Sequence, residues 1–312
     1  MNTYLGLDMG GTKLLIGEID SFGNILQYKK YDTGYFNQQE ALRIIRESLD
    51  DYIQTVGWYD QKPVAMGIGI IGRVDTTNGI WMQIDPTRTQ QIFLAKELTE
   101  IYGIPCHIDN DVKSATRAER VWGYGRTSRN FIYINIGTGI AAGIVVNGRQ
   151  IRGSHFNAAE VGHMTANVSV GVKCGCGRTD CVEKIASGIG FDACARILQD
   201  KYKTSLKICP KGTPVSTKEI FALSRQGDPL CTALVENASE AIAQLIMNLV
   251  RVTDPDTVVL GGGVISDVRF YEKVLSKLNA NTMRFVSNGV VITHLNPDFV
   301  GLLGAGAVAM NM

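Results

Sequence analysis

One hairpin unit occurs twice in this 312-residue chain, once in each half. The first copy covers residues 3–31 and turns at Gly10-Gly11-Thr12-Lys13, with Asp8 just before the turn. The second copy begins at Phe131 and turns at Gly137-Thr138-Gly139. In both copies short apolar runs of strand length flank the glycines, which is the pattern of a β-hairpin. The repeat, together with the helical segments between its copies, predicts an α/β protein with two similar halves.

The glycine turns are suited to holding a phosphate group. Glycine has no Cβ, so backbone N–H groups can approach phosphate oxygens, and Thr12 and Lys13 add a hydroxyl and a cation. The first turn is not a P-loop, because a strand follows the glycines where a P-loop has a helix. A plain hairpin turn is the alternative for the first copy taken alone. Duplication of the turn favours phosphate binding.

Three polar residues in succession, Asp109-Asn110-Asp111, end the short apolar strand 105–108. A helix is predicted over 111–122, so the polar residues lie at a helix N-terminus. Asn and Asp commonly cap helices, which is the alternative to a functional role. Three such groups exceed what a cap needs, and the carboxyl ends of strands in open α/β sheets carry active groups. We therefore expect a functional site at this junction.

A third glycine cluster, Gly261-Gly262-Gly263, follows the buried strand 257–260. We expect these glycines to open a helix and to lie against a flat ring or a phosphate. A tight contact between strand and helix is the alternative. A capping box from Ser216 to Glu219 predicts a helix that ends near residue 225. Apolar periodicity and capping residues predict the other helices: 38–56, 91–102, 188–201, 229–252, 268–280 and 300–310.

A metal site is predicted by Cys174, Cys176 and Cys181, which follow His163 closely in a chain of seven cysteines and four histidines. Three thiolates and one imidazole are the ligands of a closed tetrahedral zinc site. Glycines beside the cysteines let the backbone bend tightly enough for three sulfurs to reach one ion. The alternatives are small buried hydrophobic residues or a disulfide. A Cys-x-Cys pair is too short to form a disulfide easily, which favours zinc.

The overall composition excludes several classes of protein. A net charge of +1 and a pI of about 7.6 provide no basic surface for nucleic acid. No apolar run reaches the length of a membrane span, and the N-terminus does not resemble a signal peptide. An odd number of cysteines, clustered at metal spacing, fits a reducing compartment. We expect a cytoplasmic protein with neither nucleic acid nor membrane as a partner.

Taken together, these motifs resemble the ROK family of bacterial sugar kinases and repressors. Residues 5–13, Leu-Gly-Leu-Asp-Met-Gly-Gly-Thr-Lys, look like the first phosphate motif of the actin-like ATPase fold. The turn at 137–139 looks like the second phosphate motif, and the glycines at 261–263 look like the adenosine motif. The segments 160–163 (Glu-Val-Gly-His) and 174–183 (Cys-Gly-Cys-Gly through Cys-Val-Glu) are the more specific part. The resemblance covers essentially the whole chain.

The resemblance implies a two-lobed actin-like ATPase (ribonuclease H-like) fold with duplicated βββαβα cores and a cleft between the lobes. We expect a small lobe of residues 1–120 with 298–312 and a large lobe of 121–297 that carries the zinc loop. The implied activity is that of an ATP-dependent hexose kinase whose lobes close on the sugar. Members of the family often form homodimers, so a homodimer is expected by analogy.

The resemblance also assigns site residues. Asp111 matches the general base that accepts the proton of the reacting hydroxyl, expected to be the 6-hydroxyl. The residues expected to hold the sugar are Gly72, Asn110, Asp111, Glu160, His163 and Glu183. The residues expected to bind ATP, which brings Mg²⁺, are Asp8, Gly10, Gly11, Thr12, Lys13, Gly137, Thr138, Gly139, Gly261, Gly262 and Gly263. The structural Zn²⁺ is expected on His163, Cys174, Cys176 and Cys181, with His163 serving both the metal and the sugar.

The chain departs from the family pattern at four places. Asp109 stands where Glu is usual, and Ile71-Gly72-Arg73 stands where Pro-Gly is usual. The usual Asn-Leu-x-x-Trp sugar loop is missing from 82–91, and 155–157 reads His-Phe-Asn where His-Gly is usual. The last two segments face the sugar in the family, so they leave its identity open. Arg88 and Phe156 suggest a pocket for a modified, glycosidic or less common hexose.

Two other functions are compatible with the same family. Its repressors carry an N-terminal helix-turn-helix domain, for which we expect no room because the first phosphate strand starts near residue 4. A sugar sensor without catalysis is the second alternative. Retention of both phosphate motifs and of Asp111 favours an active kinase over such a sensor.

Overall fold

The computed structural model describes residues 2–34, 36–84, 90–209 and 212–311. Contacts divide the chain into two compact units. Unit 1 comprises Met1–Thr127, Arg152–Ala158 and His294–Met312, and unit 2 comprises Ser128–Ile151 and Ala159–Thr293. These contact units differ from the expected lobes, because 121–127, 152–158 and 294–297 belong to unit 1. The lobes themselves stay a prediction.

The described residues form strands and helices in alternating groups. The strands are β1 (Thr3–Met9), β2 (Lys13–Asp20), β3 (Ile25–Asp32), β4 (Ala65–Ile70), β5 (Arg73–Asp75), β6 (Ile80–Gln83), β7 (Cys106–Asn110), β8 (Phe131–Ile136), β9 (Ile140–Val146), β10 (Arg149–Gln150), β11 (Thr257–Gly261) and β12 (Val290–Ile292). The helices are α1 (Gln38–Thr55), α2 (Leu94–Tyr102), α3 (Asp111–Trp122), α4 (Val182–Ala186), α5 (Gly188–Leu198), α6 (Thr217–Arg225), α7 (Pro229–Thr253), α8 (Val268–Ser276), α9 (Ala280–Met283) and α10 (Val300–Ala309).

Both units contain a five-stranded sheet with the same strand order. The order is β3-β2-β1-β4-β7 in unit 1 and β10-β9-β8-β11-β12 in unit 2. In each sheet the first three strands form an antiparallel meander, and the last two run parallel to its first strand. The predicted duplication and the α/β class are therefore confirmed. The shared order also places the glycine turn after β1 and the glycine turn after β8 at equivalent positions.

In the core of unit 1, helix α10 lies directly against a glycine of strand β4. A Cβ added at Gly67 of β4 would lie 2.0 Å from the carbonyl oxygen of Ala305, so only glycine allows this approach. Helix α10 therefore packs directly on the sheet, where Leu5 and Ile68 are also fully buried. Helix α1 covers the sheet with Ile45, Leu49 and Tyr52, whose helical spacing was the signal used to predict it.

The core of unit 2 is built around α7 and three aromatic rings. Asp228 caps α7 by accepting from Cys231 N, and Pro229 occupies its first turn, as predicted. Phe191, Phe221 and Phe270 pack edge-to-face or stacked, with ring centroids 5.0 to 6.1 Å apart. These contacts hold α5, α6 and α8 against one another.

Three local predictions were wrong. The helix predicted over 268–280 ends at Ser276, and Ala280–Met283 forms a separate turn of helix. Ser216 precedes α6 without a side-chain cap bond, so the capping box does not form. The glycines at 261–263 do not open a helix, because Val264 N donates to the carbonyl of Ile136 and α8 starts only at Val268, where Asp267 caps it.

Within the described ranges, none of the helices is both long enough and apolar enough to cross a membrane.

Candidate active site

The junction of β7 and α3 holds Asn110 and Asp111 in fixed positions. The side-chain oxygen of Asn110 accepts from Val112 N and Lys113 N, so this residue caps α3. Its amide nitrogen donates to Gly72 O at 3.0 Å and to Asp111 Oδ1 at 2.9 Å. The capping alternative is thus confirmed for Asn110, but only the oxygen of its side-chain amide takes part in the cap. The amide nitrogen binds the Asp111 carboxylate and the carbonyl of Gly72.

Gly72 itself is required by its backbone. Its φ is +94°, and a Cβ would lie 2.2 Å from the carbonyl of Gln83. Any larger residue would displace the strand pair β5–β6 from the end of β4. Gly72 was predicted as a site residue from the sequence. In the structure its carbonyl oxygen accepts a hydrogen bond from Asn110.

Asp8 lies at the carboxyl end of β1 and interacts with Asp111. Burial, followed by the negative charge of Asp111, raises the pKa of Asp8 to about 7. A Cβ on Gly301 would lie 2.1 Å from Asp8 Oδ2, so the first turn of α10 passes directly over this carboxylate. Two carboxylates at one edge of a sheet offer hard oxygen ligands for a cation such as Mg²⁺. The residues present therefore fit the metal that ATP is expected to bring.

The first glycine turn has free space above its backbone. A Cβ placed on Gly11 would meet no atom within 4 Å, and Gly11 does not have a positive φ. Neither packing nor backbone conformation therefore requires glycine at this position. Gly10 N donates to Lys13 O, which closes the turn. A ligand that approaches the backbone closely is a physical reason for glycine here, in agreement with a phosphate.

The second glycine turn is held by Glu183 and by the start of α5. Glu183 Oε2 accepts from Ile140 N at 3.1 Å, and a Cβ on Gly139 would lie 2.7 Å from the same oxygen. Gly188 N donates to Gly137 O. Glu183, expected as a sugar ligand, thus also supports the second glycine turn. Its Oε1 lies 3.8 Å from Lys184 Nζ.

The glycines at 261–263 end β11 and follow it, and they lie beside the end of β8. Gly261 pairs with Asn135 in register, and a Cβ on it would lie 2.3 Å from the hydroxyl of Tyr133. Gly262 has a φ of +96° and contacts the backbone of Ile136. Gly261 and Gly262 therefore pack closely against strand β8 rather than against a helix, and their role in binding ATP stays a prediction. A Cβ placed on Gly263 would meet no atom within 4 Å, so Gly263 alone of the three leaves space for a ligand.

His163, Cys174, Cys176 and Cys181 form one cluster in unit 2. Their ligand atoms all lie within 4.8 Å of one another. Cys174 Sγ is 3.4 Å from His163 Nδ1, and Cys176 Sγ is 3.5 Å from Cys181 Sγ. Tetrahedral zinc, with bonds of about 2.3 Å to sulfur and about 2.0 Å to nitrogen, separates its ligands by roughly 3.5–3.8 Å. The cluster fits zinc, and all seven cysteines are free thiols.

A buried carboxylate shapes the cysteine loop. Asp180, at φ +57°, accepts from the backbone N–H groups of Val170, Gly171 and Val172 at 2.8 to 3.2 Å. Cys174 N donates to Arg178 O, so the loop is a short hairpin. Cys181 directly precedes α4, which carries Glu183 in its first turn. The metal cluster and Glu183 are therefore held by one segment.

Several of the site residues predicted within unit 2 lie close to one another. A Cβ on Gly162 would lie 2.1 Å from the carbonyl of Ile140, so the turn that carries Glu160 and His163 packs on the strand after the second glycine turn. Met164 O accepts from Val182 N, which joins this turn to α4. Unit 1 in turn groups Asp8, Gly72, Asn110 and Asp111 at the carboxyl ends of β1, β4 and β7.

Sequence reasoning missed the groups that anchor Asp109. This carboxylate is fully buried and is paired with Arg117 at 3.0 Å and, through two parallel bonds, with Arg152. Lys113 is also buried and donates to Ala158 O at 2.6 Å. A buried acid at a strand end signals that a partner is needed. No local pattern identifies Arg152 as that partner, because it lies 43 residues away.

Arg88 and Phe156 are the two residues from which the sequence suggested an unusual sugar pocket. Arg88 lies outside the described residues. Phe156 has a φ of +57°, an unfavourable conformation for a bulky side chain, and is half-buried.

Comparison with known proteins places these features in a family. The model of the ROK family matches residues 4–312. A glucokinase of Thermotoga maritima is 28% identical over 97% of this chain and 96% of that protein. An N-acetylmannosamine kinase of Haemophilus influenzae is 33% identical over 83% of this chain and 80% of that protein.

Solved structures agree on the fold. A ROK hexokinase from Thermus thermophilus has a TM-score of 0.78 and 28% identity, and the match covers 99% of this chain and 98% of that chain. A ROK family transcriptional regulator, a homologue of the E. coli MLC protein, has a TM-score of 0.80 at 22% identity, covering 98% of this chain and 77% of that chain. The fold is that of the actin-like ATPases, and this chain belongs to the ROK family.

Proposed function

We propose that this protein is an ATP-dependent sugar kinase in which Asp111 is the general base. The observation that carries the proposal is the fixed carboxylate of Asp111, held by Asn110 at the start of α3 and accompanied by Asp8. Relatives named glucokinase and N-acetylmannosamine kinase support the same class of reaction. The coarse function is therefore phosphoryl transfer from ATP to a sugar hydroxyl.

The proposed chemistry needs little from the protein beyond positioning and one proton acceptor. A sugar hydroxyl is a weak nucleophile, so a carboxylate within hydrogen-bond reach takes its proton as the oxygen attacks the γ-phosphorus. The bond from Asn110 to Asp111 Oδ1 sets the orientation in which this carboxylate would meet the hydroxyl. The terminal oxygen of ADP leaves on the opposite side, and the transition state is stabilised mainly by backbone donors and cations.

Asp8 would hold the magnesium ion that accompanies ATP. When bound, Mg²⁺ neutralises charge on the phosphate oxygens. Asp8 must be ionised for this role, so the raised pKa of its carboxyl sets a proton equilibrium near neutral pH. The turn at Gly10–Lys13 follows directly in the chain and supplies backbone donors, the Thr12 hydroxyl and the Lys13 cation.

Glu160, His163 and Glu183 would hold the other sugar hydroxyls. A carboxylate can accept from two neighbouring hydroxyls, which suits a vicinal diol. In this arrangement His163 Nδ1 faces the thiol of Cys174, so Nε2 remains for the sugar. Zinc on the cluster would fix the tautomer and the orientation of this ring without taking part in the reaction.

The proposed substrate is a hexose that is phosphorylated at its 6-hydroxyl. A coupled assay of ADP release over hexoses, N-acetylated amino sugars, ketoses and β-glucosides would identify the sugar. Phosphorus NMR of the product would then identify the carbon. Phosphorylation at another carbon would contradict the position but not the reaction class.

The assignment of the base has a direct test. Asp111→Asn keeps the shape of the side chain and removes its basicity, so sugar-dependent ADP release should fall by at least about 10³-fold with an unchanged circular dichroism spectrum. Asp200→Asn, at an exposed aspartate, is the matched control and should retain full activity. Substantial turnover by Asp111→Asn would exclude this residue as the base.

Regulators are the alternative within the family, because one solved relative is described as a transcriptional regulator. A gel-shift assay at physiological salt separates the two functions. Specific DNA binding together with an absence of turnover on every sugar would favour the regulator.

A further inference from the structure

The second glycine turn is held from both sides by the segment of chain that begins at Glu183. On one side, Glu183 Oε2 accepts from Ile140 N, the first amide after the turn, at 3.1 Å. On the other side, Gly188 N donates to Gly137 O at 2.9 Å. The turn itself is closed by Gly137 N, which donates to Gly139 O at 3.0 Å. One short segment therefore fixes the first residue of the turn and the residue that follows it.

The start of α5 sets the direction in which the turn presents its amides. Gly188 N and Ile189 N donate to the carbonyls of Gly137 and Thr138 at 2.9 and 3.2 Å. In a trans peptide the N–H points away from the C=O of the same unit, so the amides of Thr138 and Gly139 point away from α5. Successive N–H groups on one side of a turn are the donors of backbone anion sites. This geometry suits a phosphate, and it depends on the contacts that hold the turn.

Glu183 is itself confined beside the turn. Its carbonyl accepts from Ser187 Oγ at 2.6 Å and from Ser187 N at 3.2 Å, and Ser187 caps α5 by accepting from Gly190 N. The Glu183 side chain is only 19% exposed. A Cβ on Gly139 would lie 2.7 Å from Glu183 Oε2, and one on Gly162 would lie 3.2 Å from Glu183 Cβ. The carboxylate is therefore packed against the turn rather than extended into solvent.

We propose that Glu183 is a positioning residue for the second glycine turn and that it couples sugar binding to ATP binding. The inference rests on the proposed kinase function, in which Glu183 holds a sugar hydroxyl and the turn holds a phosphate. Oε2 already bonds to Ile140 N, whereas Oε1 is 3.8 Å from Lys184 Nζ, beyond hydrogen-bond distance. A hydroxyl that donates to Oε1 fixes the plane of the carboxylate and thereby the oxygen that holds Ile140. The turn is then ordered before ATP arrives, so phosphate binding costs less conformational entropy.

Binding of an ATP analogue without any sugar separates this role from sugar binding alone. Glu183→Ala should raise the Kd of AMPPNP with Mg²⁺ about fivefold or more in calorimetry, because the turn loses the acceptor for Ile140 N. Glu160→Ala removes the other carboxylate of the proposed sugar site, and Lys184→Ala removes the charge beside Oε1. Both should leave this Kd within about twofold of the wild type, because neither side chain bonds to the turn among the described residues. Equal Kd values for Glu183→Ala and the wild type would overturn the proposal.

Hydrogen exchange reports the contact directly. In protein without ligands, the amide of Ile140 should exchange at least about tenfold faster in Glu183→Ala than in the wild type or Lys184→Ala. Glu183→Gln keeps an acceptor oxygen and nearly the same shape, so it should retain more of this protection than Glu183→Ala. Equal exchange of Ile140 in all four proteins would show that Glu183 does not hold the turn.

The coupling is measured in the wild type, so it does not depend on the folding of a variant. A saturating amount of the hexose that the coupled assay selects should lower the Kd of AMPPNP about fivefold or more, and AMPPNP should lower the Kd of that hexose by the same factor. The hexose should also slow exchange of the Ile140 amide. Independent binding of the two ligands would overturn the coupling. Wild-type protein that binds no AMPPNP, or phosphorylates no sugar, would instead overturn the proposed function, a result distinct from an active kinase whose ligands bind independently.

Discussion

The side-chain amide of Asn110 donates to Asp111 Oδ1 at 2.9 Å while its oxygen caps α3. One residue thus both begins the helix and orients the carboxylate at its first position. The same amide holds the carbonyl of Gly72 at 3.0 Å. Asn110 therefore joins Gly72, Asp111 and the start of α3, which leads to a first prediction.

Asn110→Asp should reduce kcat by about 10²–10³-fold without loss of the fold. Aspartate is an equally good cap, but it cannot donate to Asp111 and it places a second negative charge beside the proposed base. Steady-state kinetics and thermal unfolding measure the two effects. Asn24→Asp is the control. Asn24 also donates to an aspartate, with 2.8 Å between its Nδ2 and Asp20 Oδ2, but it is not among the predicted site residues. Equal losses of kcat in both variants would contradict the role of Asn110.

Activity should rise with pH through about 7. The Asp8 carboxyl has a pKa of about 7 in the free protein, and only its ionised form is suited to Mg²⁺. The kcat/KM for ATP reports groups of the free enzyme, so it should increase about tenfold per pH unit below 7 and level off above. Binding of MgATP to Asp111→Asn by calorimetry should show the same transition at lower pH, because one cause of the raised pKa is removed. An unchanged midpoint would contradict the coupling of the two carboxylates.

Asp8 should also make stability fall as pH rises towards neutrality. Its pKa in the folded chain is raised from 3.8 to about 7, so the folded state binds the proton more tightly than the unfolded state. The resulting stabilisation is complete below about pH 4 and is lost as pH rises through about 7. Asp8→Asn should therefore have a higher Tm than the wild type at pH 8, with a difference that shrinks towards pH 4. A constant difference across this range would contradict the shifted pKa.

Removal of zinc should impair sugar binding before it unfolds the protein. The cluster joins His163 to Cys181, one residue before α4 with Glu183, so its loss releases two proposed sugar ligands at once. Cys176→Ser or chelation should raise the sugar KM by about tenfold or more, with a smaller change for ATP. Cys209→Ser alters an exposed cysteine outside the cluster and serves as the control. Absence of about one zinc per chain by elemental analysis, with full activity after chelation, would contradict the metal site.

Two glycine substitutions should separate binding from folding. At Gly11 a Cβ meets no atom, so Gly11→Ala should change Tm by no more than about 2 °C and raise the KM for ATP by about tenfold. At Gly67 a Cβ lies 2.0 Å from Ala305 O, so Gly67→Ala should lower Tm strongly or prevent folding. A normal KM for ATP in Gly11→Ala would remove the reason to assign this turn to phosphate.

Local patterns in the sequence determined the parts of this protein that depend on neighbouring residues. Apolar periodicity located α1, and Asp228 with Pro229 marked the start of α7. The repeated glycine hairpin predicted the two similar sheets. The spacing of His163, Cys174, Cys176 and Cys181 predicted a cluster that the structure brings within 4.8 Å. Such features are readable because the interactions that create them lie close together along the chain.

Only the tertiary structure decided the interactions that join distant segments. The sequence did not show that Arg152 binds Asp109, or that Asp8 and Asp111 share one electrostatic environment. It also did not show that Gly261 and Gly262 lie close to Tyr133 and Ile136. Burial and strand register create these relationships, and neither is encoded in a local pattern. For the same reason the Asp109-Asn110-Asp111 motif predicted a functional junction, while the groups that hold it in place became visible only in the folded chain.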